Sequence, residues 1–297
     1  MVNASLYPFH AAEIDLDGLR LRYLDEGSGD PVVMVHGNPT WSFYYRDLAL
    51  ALRGSCRAIV PDQIGCGRSD KPDDARYDYS LDRRARDLEA LLDRLGISGG
   101  ITLVLHDWGG MIGMLFASRH PDRIQRLVIL NTAAFHLPAA KRLPWSLRLI
   151  RDTPLGPFLV RGLNAFCLGA ARFCVRRKMP AEVRQGYLAP YDSWANRVAV
   201  LRFVQTIPLK PGDPGYDLVT EVQEGLHRFE GIPMLIGWGM RDFVFDRHFL
   251  AEWERRFPRA EVHRFEDAGH YVLEDAGDRI IPLVQNFLRQ HPLAPSP

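Results

Sequence analysis

The chain has 297 residues, 46% of them apolar and 25% charged, enough for a sizeable core in one large or two small domains and unlike a disordered chain. A formal net charge of +1, from 37 Lys and Arg scattered among 36 Asp and Glu, gives no nucleic-acid footprint. Four cysteines (Cys56, Cys66, Cys167, Cys174) form no CxxC pair and no zinc-spaced Cys/His cluster, so they read as reduced, mostly buried thiols, and no metal or cofactor is expected.

The N-terminal stretch "MVNASLYPFHAAEIDL" lacks a basic segment followed by an apolar one, and no run approaches the ~18 apolar residues of a membrane span. A cytoplasmic protein is expected. "AEIDLDG" and "LRLRYLDEG" alternate polar and apolar residues, as an exposed hairpin turning at Asp17-Gly18 would. "PVVMVHG" (31–37), "CRAIVPD" (56–62), "ITLVLHD" (101–107) and "RLVILN" (126–131) are near-continuous apolar runs, which suit parallel strands covered on both faces.

Between these runs, "SLDRRARDLEALLDRLG" repeats leucine at helical spacing, with Ser80 as N-cap and Gly96 as stop. Strand, helix, strand in repetition predicts an α/β fold with a mostly parallel sheet of eight strands and helices on both faces. From 132 to 225 the pattern becomes helices broken by Pro and Gly, without strand signals. That predicts a helical cap inserted into a core made of 1–131 and 226–297. "RFCVRRK" (172–178) is the densest basic patch; it reads as a solvated helix face, with a membrane or acidic partner as the alternative. Strand patterns resume at 232–239 and 260–267, with helices near "RHFLAEWERRF" and "DRIIPLVQNFLRQ". The Pro-rich tail 291–297 reads as frayed.

The chemistry centres on "LVLHDWGGMIG" (103–113). A buried strand that ends in one polar residue and runs straight into Gly-Gly and a helix has the layout of a nucleophile elbow, normally G-x-S-x-G. Here the frame reads Leu105-His106-Asp107-Trp108-Gly109, so the first Gly is missing and Asp107 holds the nucleophile position. A carboxylate needs no base to activate it, and it can displace a leaving group from carbon to form an ester on the enzyme. In this order of elements an acid and then a His follow. Asp242 in "WGMRDFVFD" and His270 in "EDAGHYVLED" fill those places, with Asp246 and Asp267 competing for the acid's role.

Asn38, in "VMVHGNPT", and Trp108 are placed to bind the leaving group or oxyanion from backbone and side chain. His36 and His106 read as loop supports. Trp145, Tyr187, Tyr191 and Trp194 are either lid residues of a pocket or ordinary core.

"HGNPTWSFYYRDL", "PDQIGCGRSDKP", "HDWGG" and "AGHYVLED" together resemble the haloalkane dehalogenase branch of the α/β-hydrolases, over the whole chain. The resemblance implies an Asp107 nucleophile with Trp108 and Asn38 holding the leaving group. One dehalogenase subgroup draws its acid from a Glu after the sixth strand; "LVILNTAAF" has Asn131 there, which implies Asp242 instead. Within the branch, "NTAAFHLPAAKRLPW", "LVRGLNAF", "YLAPYDSWANRVAVLRFVQTIPL" and "WGMRDFVFD" are similar to the β-lactone decarboxylases of bacterial olefin biosynthesis. Those would convert a cis-3,4-dialkyl oxetan-2-one into a cis-alkene and CO2, through an alkyl ester on Asp107 or through an anhydride. The resemblance also implies a hydrophobic small-molecule substrate and assembly with a β-lactone synthetase and a short-chain dehydrogenase. Haloalkane dehalogenase is the first alternative. Epoxide hydrolase is the second, and it would need Tyr187 or Tyr191 as ring-opening acids.

Overall fold

The computed structural model describes residues 3–293, so residues 294–297 of the tail lie outside the described residues. Eight strands form one sheet: β1 (Ala12–Leu16), β2 (Leu19–Gly27), β3 (Pro31–Val35), β4 (Arg57–Asp62), β5 (Ile101–Asp107), β6 (Ile124–Thr132), β7 (Met234–Gly239) and β8 (Glu261–Phe265). The spatial order is β1-β2-β4-β3-β5-β6-β7-β8. The β1–β2 and β2–β4 pairs are antiparallel, and every other neighbouring pair is parallel. The hairpin turns where expected, at Asp17 and Gly18, both at positive φ (55° and 78°).

The near-continuous apolar runs are the central strands, and every residue of β5 is buried. Among the described residues eleven α-helices accompany the sheet: α1 (Arg46–Leu52), α2 (Leu81–Arg94), α3 (Trp108–Arg119), α4 (Trp145–Asp152), α5 (Leu155–Pro157), α6 (Ala165–Phe173), α7 (Ala181–Leu188), α8 (Val198–Gln205), α9 (Tyr216–Gly225), α10 (Arg247–Arg256) and α11 (Val272–Gln290). Ser80 caps α2 by accepting from the Arg83 N–H at 3.2 Å. The last helix begins six residues before the expected stretch, at Val272, and spans a break at Ala276 (φ −137°, ψ 18°). The break divides it into two shorter runs, and only the second shows the leucine and isoleucine spacing legible in sequence.

Between Thr132 and Met234 no strand occurs among the described residues, only α4 to α9 and short helical turns. All four cysteines are buried and free. No helix among the described residues is long and apolar enough to cross a membrane.

Candidate active site

The end of β5 and the start of α3 meet without a connecting loop, and Asp107 makes the turn at φ 52°, ψ −126°. Few residues with a side chain adopt such a conformation, so the surrounding packing has to hold it. Two glycines permit the turn. A Cβ on Gly109 would land on the Val35 carbonyl at the end of β3, and one on Gly110 would land on Thr132 Oγ1 and the Ala133 carbonyl beyond β6. The "WGG" of the motif thus lets α3 start against the ends of both neighbouring strands. Where the usual motif has its first Gly, the Leu105 side chain packs over Gly113 one turn further along α3. Thr132 Oγ1 donates to the Asp107 carbonyl and ties the turn to β6.

The loops after β7 and β8 bring Asp242 and His270 to this turn. His270 Nδ1 lies 2.8 Å from Asp242 Oδ2, and its Nε2 lies 3.5 Å from Asp107 Oδ2. All three residues are buried. Asp246 and Asp267, the competing acids, are spent elsewhere: Asp246 caps α10 and pairs with Lys141, and Asp267 pairs with Arg279.

Asp242 is itself fixed by Asn131 Nδ2 at 3.0 Å and by the Val244 N–H at 2.7 Å. Sequence reasoning noted Asn131 but gave it no role. Its signal was a polar residue ending the apolar run "LVILN", the same signal that singled out Asp107. Phe245 stacks on the His270 ring at 5.8 Å between centroids. The two supporting histidines behave as expected. His106 Nε2 contacts the His270 carbonyl at 2.9 Å, and His36 Nε2 accepts from the Gln63 N–H at 3.1 Å.

The electrostatics follow from this geometry. Burial disfavours charge on His270, but the two carboxylates outweigh it, Asp242 most, and push its pKa up to about 10. Burial likewise opposes ionisation of Asp107, yet the hydrogen bond and charge of His270, with the Asn38 N–H, hold it below the ordinary carboxylate value. At neutral pH an ionised Asp107 therefore faces a protonated His270. His106 is driven down to about 3 by burial and by the charge of His270, so it stays neutral.

Asn38 sits differently from expectation. Its backbone N–H donates to Asp107 Oδ1 at 2.6 Å, and its side-chain Nδ2 donates to the Val200 carbonyl on α8 at 3.1 Å. The backbone donor therefore orients the Asp107 carboxylate, and one of the two side-chain amide protons is committed to α8. The other remains for a ligand. The Trp108 backbone N–H opens α3, where no helical acceptor exists for it.

Asn38, Asp107, Trp108 and His270 all line one cavity of about 880 Å³, whose remaining walls are mostly apolar. Trp145 lines it too. Tyr187, Tyr191 and Trp194 are not among its lining residues. Tyr187 donates its hydroxyl to Glu274, and Tyr191 donates to the Thr40 carbonyl at 3.3 Å. Neither tyrosine is placed as a ring-opening acid, which removes the ground for an epoxide hydrolase.

An eight-stranded, mostly parallel sheet that presents a carboxylate at a strand–helix elbow, beside a His–Asp pair, defines an α/β-hydrolase. The chain belongs to that family, whose model, described as alpha/beta hydrolase fold, matches residues 30–277. Within it the chain belongs with the cis-3-alkyl-4-alkyloxetan-2-one decarboxylases. It is 55% identical to the one from Shewanella oneidensis, covering 96% of this chain and 90% of that one, and 48% identical to the one from Xanthomonas campestris, covering 97% and 98%. A haloalkane dehalogenase of Mycolicibacterium paratuberculosis is more distant, at 34% over 94% of this chain and 92% of its own. Among solved structures, a haloalkane dehalogenase from Bradyrhizobium elkani superimposes with a TM-score of 0.83 at 26% identity, covering 95% of this chain and 98% of its own.

Proposed function

We propose that this chain decarboxylates cis-3,4-dialkyl oxetan-2-ones to cis-alkenes and CO2, with Asp107 as nucleophile. One observation carries the reading: a carboxylate kept ionised by His270 and Asn38 opens into an apolar cavity far larger than a small haloalkane needs. At about 30 Å³ per water-sized group, 880 Å³ holds roughly thirty such groups, the scale of a substrate with two long chains. The relatives supply the name of the reaction. In this scheme residues 132–225 act as a cap over a core of 1–131 and 226–297, a division supported by the confinement of every strand to the core segments or their margin.

The chemistry balances without water or a proton. An Asp107 oxygen attacks the ring carbon that bears the lactone oxygen, the C–O bond breaks, and the ring oxygen becomes part of a carboxylate. That anion lies where Trp108 and the free amide proton of Asn38 can donate to it. The bond between the carboxylate and the chain then breaks to release CO2. Its electron pair forms the double bond as the ester C–O bond breaks and Asp107 is regenerated. Inversion at the attacked carbon followed by anti departure of the two groups yields the cis-alkene. Carboxylate is a better leaving group than the alkoxide that attack at the carbonyl would expel, so the alkyl-ester route is preferred to the anhydride.

His270, charged in the free site, holds the Asp107 carboxylate in place rather than activating water. The resemblance extends to a cytoplasmic setting and to assembly with a β-lactone synthetase and a short-chain dehydrogenase, which co-purification from cells would test.

The decisive experiment incubates the protein separately with a cis-dialkyl β-lactone and with a 1-haloalkane. Alkene from the lactone, abolished by Asp107→Ala, is expected; halide release without alkene would assign a dehalogenase instead. A single turnover in ¹⁸O water should leave Asp107 unlabelled. Label in its carboxylate would mean a hydrolysed ester.

A further inference from the structure

Charge and exposed apolar surface coincide in one stretch of this chain. Residues 133–180 hold nine Lys and Arg against a single acid, Asp152, whereas the whole chain carries +1. The same stretch supplies most of the large apolar side chains left exposed among the described residues: Trp145, Leu155, Phe158, Leu163, Leu168 and Phe173. All but Leu163 lie on α4, α5, the helical turn Phe158–Gly162 that continues α5, and α6, elements that pack against one another in sequence, and Leu163 ends that turn.

Part of the positive charge is neutralised locally, since Arg151 pairs with Asp152 and Asp213, and Lys141 with Asp246. Arg142, Arg148, Arg172 and Lys178 are exposed and take part in no ion pair among the described residues. Arg172 lies over the Phe173 ring at 5.5 Å, so cation and aromatic share one patch.

The cavity opens onto this surface. Trp145 and Phe173 line it and yet are 77% and 61% exposed, which places them at its mouth, together with Arg142 and Arg176 from the same stretch. An aqueous mouth would gain nothing from an indole and a phenyl ring held out in water. Aromatic and leucine side chains interspersed with unpaired cations are what an interfacial segment presents to lipid.

We propose that the α4–α6 face docks on an anionic phospholipid surface, so that the cavity mouth faces the bilayer and exchanges long apolar molecules with it directly. Phosphate headgroups meet Arg142, Arg148, Arg172 and Lys178, while Trp145, Phe158, Leu168 and Phe173 enter the acyl boundary. The inference goes beyond the proposed reaction and does not require it, because docking is read without substrate.

The full chain is sedimented with vesicles of phosphatidylcholine alone and of phosphatidylcholine carrying phosphatidylglycerol, at low and high salt, while tryptophan emission is followed. Binding to the phosphatidylglycerol vesicles at low salt, weakened by salt and accompanied by a blue shift, is expected. The combined Arg148→Glu, Arg172→Glu and Lys178→Glu variant, none of whose three positions lines the cavity, should bind at least about tenfold more weakly. Leu155→Ser with Phe158→Ser and Leu168→Ser, also outside the lining, should lose the binding that persists at high salt. Thermal unfolding and circular dichroism confirm that both variants fold. Equal binding to the two vesicle types, or variants that bind like the parent, would overturn the proposal. Binding to soluble polyglutamate but to neither vesicle would also overturn it, in favour of an acidic protein. So would a dimer in solution that both variants dissociate, in favour of a second copy.

Discussion

Asn131 donates from Nδ2 to Asp242 Oδ2 across 3.0 Å, onto the same oxygen that faces His270 Nδ1 at 2.8 Å. Its Oδ1 accepts from the Gly239 N–H at 2.8 Å, so one side chain at the end of β6 holds both the end of β7 and the acid that follows it. Asn131→Leu keeps the size but leaves a buried carboxylate oxygen and a buried N–H each short of a partner. We expect a stability loss of about 2–3 kcal/mol in urea titration. Turnover should fall about tenfold or more with KM little changed, since Asn131 does not line the cavity. Unchanged turnover in steady-state assays would remove Asn131 from the site.

The charged state of His270 gives a stability signature with a defined sign. Its folded pKa, about 10, lies above the ~6.5 of an unperturbed histidine, so between those values the folded state binds the proton that the unfolded state has lost. The resulting stabilisation is fully present below pH ~6.5 and disappears as pH rises to about 10; its size is on the order of a few kcal/mol. His270→Gln has no proton to lose. Melting temperatures followed from pH 6.5 to 10 should therefore fall more steeply for the parent than for this variant. Parallel curves would show that the imidazolium is not held.

Gly109 tests the elbow without touching a reacting atom. A Cβ there meets the backbone carbonyl of Val35, which cannot swing aside as a side chain would. Gly109→Ala should cost about 3 kcal/mol or fail to accumulate as folded protein, whereas Gly99→Ala, whose added Cβ meets nothing, should behave as the parent. Denaturant titration of the two compares them directly.

These residues also show why some of the site was legible in the sequence and some was not. The central strands could be read because parallel strands buried on both faces leave unbroken apolar runs, the β1–β2 hairpin because it alternates, and a polar residue that ends an apolar run, as Asp107 does, stands out. Chain order then pointed to Asp242 and His270. The commitment of the Asn38 amide to Val200 was not legible, because the partners are 162 residues apart and the acceptor is a backbone carbonyl that no side-chain pattern marks. The same holds for Tyr187, whose hydroxyl pairs with Glu274, 87 residues away; as a sequence feature it remained equally a lid residue or a core residue. Local periodicity reports which face of an element is buried, not which polar group it meets.

Cavity volume gives the last prediction. Gly169 lies on α6 and lines the cavity, and a Cβ added there would meet no other atom within 4 Å. Gly169→Phe should therefore enter open space, and since a cavity of about 150 Å³ holds a benzene-sized group, the ring should take up roughly one sixth of the 880 Å³ present. Replacing a helical glycine also removes a backbone-entropy penalty of about 0.5–1 kcal/mol, so the melting temperature should hold or rise. With the two alkyl chains in this cavity, KM should rise for long-chain lactones and stay near the parent value for short-chain ones, with kcat for the short substrates preserved. That split separates loss of room from damage to the Asp107 turn, which would lower kcat at every chain length. An equal loss for long and short substrates would mean that the chains do not lie along α6.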